Sequence, residues 1–231
     1  MDQLETYKQQ IVDACRVLVE RGYLMATGGN VSLRVADAER NSFAITPSNY
    51  DYAKMTPDDV CTLDLDLNLL TGQRIPSIES SLHATVYQTR PDVNAVVHTH
   101  QVYASALALI DAPIPALFDE QARFLGRSVE IIPYAPSGTG FLKKNIARRI
   151  KNHHNAYILQ NHGVLCFGPS MERAIHNVEI LEKCALAYLL ALCTERKVTK
   201  IPLAVREIAF SKLRQDQKKV ERRDPCQEEN R

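Results

Sequence analysis

Short β-branched runs and helical periodicities alternate along this chain from end to end, with no repeat, linker or low-complexity segment to divide them. That order favours a single α/β domain. Leu4, Tyr7, Ile11, Cys15 and Leu18 recur at three- and four-residue steps, and Gly22 follows at a capping position, which predicts an amphipathic helix over 4–20. Runs 31–35, 42–46 and 61–65 predict neighbouring strands of one sheet, separated by polar, Gly- and Pro-bearing loops. The segment 79–89 lacks Gly and Pro and stops just before Pro91, so it predicts a helix with Leu82, Val86 and Thr89 inward. Strands over 95–100, 129–133, 156–159 and 164–167 and helices over 103–110, 139–151 and 171–195 complete the pattern. The last residues, 215–231, carry only Val220 and Cys226 as apolar groups. They predict a solvated, disordered tail after a domain over 1–214.

Among 231 residues, 45% are hydrophobic, which is enough for a packed core. Twenty-eight basic against 27 acidic side chains leave a net charge of +1, so nothing in the overall charge calls for nucleic acid or an anionic membrane. The longest unbroken apolar run covers ten residues, 184–193, about half of what a bilayer-spanning helix needs. Asp13 and Arg16 interrupt the apolar stretch near the N-terminus, so no signal peptide is read there and a cytoplasmic location is expected. Six cysteines without a CxxC pair predict reduced, mostly buried thiols.

The chemistry concentrates in histidines. On a strand, His98 and His100 project to one side about 7 Å apart at Cα, close enough to share a metal ion. Alone, the pair fits a pH-sensitive surface or two hydrogen-bonded core histidines equally well. His162 strengthens the metal reading: it stands in the turn Asn161-His162-Gly163 between two apolar strands, where Gly163 permits an unusual backbone angle. Three neutral imidazoles suit Zn²⁺ and leave a fourth position, for which Glu79 is the candidate; a carboxylate that can leave the metal becomes a base. His83, four residues on, is expected to support or pack rather than ligate. His153, His154 and His176 are expected at the surface or in structural roles.

No nucleotide fingerprint is present, but the loops 27–30 and 46–49 together with Ser77 offer hydroxyls and amides that together suggest an anion nest. There is no Gly-x-Ser-x-Gly elbow and no electropositive loop beside a cysteine, which leaves nucleophilic catalysis without support. Lys54 and the pair Lys143-Lys144 read as solvated.

Taken in order, Thr27-Gly28-Gly29-Asn30-Val31-Ser32, Ile45-Thr46-Pro47-Ser48, Pro76-Ser77-Ile78-Glu79, Arg90-Pro91-Asp92, Val97-His98-Thr99-His100 and Gln160-Asn161-His162-Gly163 resemble the class II aldolase/adducin family over about residues 5–195. The resemblance implies a three-layer α/β/α domain around a central, mostly antiparallel sheet, in a homotetramer with active sites at subunit boundaries. It implies Zn²⁺, or Mn²⁺ or Co²⁺, on His98, His100, His162 and Glu79, with Glu79 as acid/base. Gly29, Asn30, Thr46, Ser48 and Ser77 look like the family's phosphate cradle. The activity implied is reversible cleavage of a ketose 1-phosphate of fuculose, deoxyribulose or alkylthioribulose type into dihydroxyacetone phosphate and an aldehyde. The metal would act as Lewis acid for the enediolate.

Two positions depart from fuculose-phosphate aldolases: Ile78 stands where they carry a second serine, and Asp119 where they carry a proton-donating tyrosine. Phe118-Asp119-Glu120 is similar to the neighbourhood of the acid/base glutamate in methylthioribulose-phosphate dehydratases, which makes Glu120 a second catalytic candidate beside its reading as a surface salt bridge. A dehydratase, 4-epimerase or decarboxylase using the same site is the alternative activity. A non-enzymatic adducin-like scaffold is a third reading.

Overall fold

A computed structural model describes residues 3–35 and 41–222. Eight strands form one sheet: β1 (Asn30–Val35), β2 (Ser42–Ile45), β3 (Cys61–Asp64), β4 (Leu69–Thr71), β5 (Ala95–Thr99), β6 (Glu130–Ile132), β7 (Ala156–Leu159) and β8 (Gly163–Gly168). Their spatial order is β4-β3-β2-β1-β5-β8-β7-β6. Every neighbouring pair is antiparallel except β6 and β7. Seven α-helices flank the sheet among the described residues: α1 (Gln3–Glu20), α2 (Ser80–Thr89), α3 (Val102–Leu109), α4 (Asp119–Phe124), α5 (Gly140–Arg149), α6 (Met171–Leu192) and α7 (Leu203–Glu221).

Alternation along the strands builds the layers. Val31, Leu33, Ala95, Val97, Val164 and Cys166 point to one face and pack with Ile11, Cys15 and Leu18 of α1 and with Val178 and Leu181 of α6. Their neighbours Val96, Leu165 and Phe167 point to the other face and meet Leu82 and Val86 of α2 and Leu142 and Ile146 of α5. Both faces are apolar, so both must be covered, and the three-layer α/β/α arrangement follows. Gly22, at φ +73°, ends the approach from α1 in a backbone region that a side chain disfavours. Arg90, just before Pro91, ends α2.

The expected tail begins later than its composition suggests. Residues 215–221 belong to α7, because the polar groups there have partners: the Gln217 amide donates to His153 O and to Asn155 Oδ1 at 3.0 and 2.9 Å, and Asp216 pairs with Arg123. The rest of the expected tail, 223–231, lies outside the described residues, as does Cys226. Of the remaining thiols, Cys15, Cys61, Cys166 and Cys184 are buried and free, and Cys193 is exposed. No helix among the described residues is long and apolar enough to cross a membrane.

Candidate metal centre and acid/base site

The sheet register assembles the site. Asn30 of β1 lies opposite His98 of β5, and Thr99 lies opposite Val164 of β8, so β5 carries its histidines between Asn30 and the turn that presents His162. Gly163 serves close approach rather than an unusual angle: a Cβ there would fall 2.5 Å from His100 Cδ2 and 2.6 Å from Thr99 O. The left-handed conformation belongs to Asn161 instead, at φ 54°, which asparagine tolerates better than most residues. Gly29, at φ +81°, lies equally tight against the other side of β5, its Cβ position 2.5 Å from His98 O.

Ligand nitrogens of His98, His100 and His162 all lie within 4.8 Å of one another. His98 Nε2 is 3.0 Å from His100 Nε2 and 3.3 Å from Glu79 Oε2, while Glu79 Oε1 is 3.0 Å from His162 Nε2. Glu79 occupies the position just before α2 without bonding the helix end, so its carboxylate faces the imidazoles. His98 Nδ1 lies 2.7 Å from the Val164 carbonyl, which can only accept; Nδ1 therefore carries the hydrogen and Nε2 presents a lone pair. Burial brings the His98 pKa down to about 4, so the ring is neutral at neutral pH. A lone pair then faces a carboxylate oxygen with no proton between them, and a cation among these groups resolves that conflict. The donor set fits a divalent ion such as zinc.

Burial alone would raise the pKa of Glu79, but the His162 contact and the Asn30 amide outweigh it and hold the carboxyl below the ordinary range. The Asn30 amide donates to Glu79 Oε2 at 2.8 Å. Asn30 is therefore engaged with the carboxylate, and Thr46 is also turned inward: fully buried, its hydroxyl accepts from Val31 N–H at 3.3 Å. Ser77 Oγ accepts from Glu79 N–H at 3.3 Å, and an isolated bridge between Pro47 and Pro76 sets the two loops side by side. Ser48, half-buried, and the Gly29 backbone lie in these same loops. Glu120 is held elsewhere in the chain, by Lys183 at 3.1 Å and His176 at 3.8 Å on α6.

A second cluster of ligand-type groups, Asp92, His153 and Glu221, has a different character. Arg90 forks onto both Asp92 oxygens at 2.7 Å, and the charges of Arg90, Arg214 and Lys218 reach His153. That surplus of positive charge opposes a cation.

Buried neutral histidines predict an acid-sensitive fold. Burial lowers the pKa of His83 to about 3 and those of His98 and His154 to about 4, against 6.5 for an unperturbed ring. Above 6.5 both the folded and the unfolded states are neutral. As pH falls from there toward 4, the unfolded chain takes up protons that the folded one refuses, costing up to about 1.4 kcal/mol per pH unit for each ring. The melting temperature of metal-free protein should fall between about pH 7 and about pH 5; a flat profile would contradict this assignment.

The family model described as the class II aldolase and adducin N-terminal domain matches residues 9–189. The chain belongs to that family: it is a class II aldolase, fuculose-1-phosphate aldolase-like, and by class an aldehyde-lyase. Among its relatives, L-fuculose phosphate aldolase of Escherichia coli O6:H1 is 36% identical over 184 residues, covering 78% of this chain and 83% of the relative. The protein of the same description from Methanocaldococcus jannaschii is 33% identical over 189 residues, covering 82% and 99%. A solved structure of L-fuculose 1-phosphate aldolase superimposes with a TM-score of 0.83 at 33% identity, covering 90% of this chain and 96% of the other.

Proposed function

We propose that this chain reversibly cleaves a ketose 1-phosphate into dihydroxyacetone phosphate and an aldehyde, using a divalent ion on His98, His100 and His162 and Glu79 as its acid/base. The observation that carries this reading is the facing of the His98 Nε2 lone pair and the Glu79 carboxylate beside two further imidazoles. The ion, zinc by its donor set, with manganese or cobalt as substitutes, supplies Lewis-acid polarisation of a carbonyl oxygen when bound. Glu79 removes or returns the proton at the carbon beside that carbonyl. Its buried position excludes water, and a carboxylate that no longer faces a cation in such a pocket becomes more basic. The loops bearing Gly29, Ser48 and Ser77 hold the phosphate, with Asn30 and Thr46 fixing their shape from behind. We place the working enzyme in the cytoplasm as a homotetramer, with helix α7 part of the catalytic domain.

The test is proton NMR of dihydroxyacetone phosphate in D₂O with zinc-loaded protein. Loss of one C3 proton signal, dependent on the protein, is expected. Absence of exchange at high protein concentration overturns the aldolase reading. Product analysis would then separate epimerisation, dehydration and decarboxylation, and the metal content of protein purified without chelator would test the scaffold reading.

A further inference from the structure

We propose that His83 is a positioning residue, the centre of a one-way hydrogen-bond relay running from Tyr87 through Ser32, His83 and Asn30 onto the Glu79 carboxylate. The inference rests on the reading of Glu79 as acid/base. Tyr87 Oη lies 2.7 Å from Ser32 Oγ, which lies 2.6 Å from His83 Nδ1. His83 Nε2 lies 2.5 Å from Asn30 Oδ1, and the Asn30 amide nitrogen reaches Glu79 at 2.8 Å. All four relay residues are buried.

Chemistry sets the direction at every link. An ionised carboxylate only accepts, so the Asn30 amide nitrogen donates to Glu79 and its oxygen faces His83. That oxygen also only accepts, so His83 Nε2 carries the hydrogen. Burial keeps the ring neutral, leaving Nδ1 to accept from the Ser32 hydroxyl, whose oxygen in turn accepts from Tyr87. Aligned donors in a low-dielectric interior reinforce one another. The functional consequence falls on Asn30. If its amide turned over, an oxygen would face the Glu79 carboxylate, and the bond to His83 would survive only if the ring moved its hydrogen to Nδ1 and the Ser32 hydroxyl reversed; with the hydrogen on Nε2, His83 opposes that flip. Glu79 is thus held in one orientation from behind while its other oxygen faces His162.

Two measurements test the relay. Long-range proton–nitrogen NMR of the metal-free protein should show His83 neutral and protonated at Nε2; protonation at Nδ1 overturns the proposal. In the exchange assay with dihydroxyacetone phosphate, His83→Phe should lower kcat about 10–100-fold, the usual effect of losing the group that orients a metal-site residue. KM and zinc content should stay unchanged. His83→Gln, whose amide can still donate toward Asn30, should recover most of the loss. Ser32→Ala provides the same kcat test if His83→Phe does not fold. A folded variant with unaltered kcat, or equal losses in the Gln and Phe variants, overturns the relay. Unimpaired exchange in Glu79→Gln would instead remove the functional reading, leaving the tautomer measurement to decide whether the relay exists.

Discussion

Glu79→Gln should slow proton exchange at dihydroxyacetone phosphate about 10²–10⁴-fold, the contribution of a positioned general base. The substitution keeps the shape of the side chain, and its amide oxygen can still accept from Asn30, so the protein should remain folded. His98, His100 and His162 also remain, and metal analysis should still find a bound divalent ion. Exchange and metal content measured on one preparation separate loss of the base from loss of the site. Unchanged exchange would show that another group moves the proton.

The second large effect concerns stability. Arg90→Met should cost about 3–5 kcal/mol, the usual penalty for removing one member of a buried ion pair. Arg90 and Asp92 are almost fully buried, and the guanidinium also donates to His154 O at 2.8 Å and to Asn155 Oδ1 at 3.0 Å. Removing it strands the Asp92 charge and the acceptors just before β7 that the guanidinium ties to the end of α2. Urea unfolding would show the midpoint fall. Asp92→Leu combined with Arg90→Met should recover part of the loss, because replacing both charges with apolar groups leaves no ion unpaired. A midpoint within error of the wild-type value would mean that the pair contributes nothing net.

Much of the site was legible in the spacing. His98 and His100 share a face because strand side chains alternate, and the turn holding His162 could be placed between two apolar runs. The relay also has a signature: His83 and Tyr87 are four residues apart on a helix that Glu79 immediately precedes, while Asn30 and Ser32 are two apart on a strand. Sequence could set each row on one face but could not bring the two faces together, because that depends on the packing of α2 over β1. The same limit hid the commitment of Asn30 to Glu79 and of Thr46 to Val31, since a polar side chain in a loop sequence looks free until its partner is known. Strand β4 is short and exposed, with too few inward residues to show a period. Helix α7 buries Ala209, Phe210 and Leu213, but that apolar stripe is short and its second half is held by polar contacts from Gln217 and Asp216, so the composition of the segment hides it.

The position of β5 between β1 and β8 also has a bearing on how the site comes into being. A ribosome releases Glu79, His98 and His100 well before the turn that carries His162, and until β8 emerges β5 has a partner on one edge only. The third imidazole arrives with the strand that closes the other edge. Such long-range pairing comes late and slowly in folding. The three imidazoles therefore come together only in the finished sheet, and the growing chain carries no more than a fragment of the proposed site.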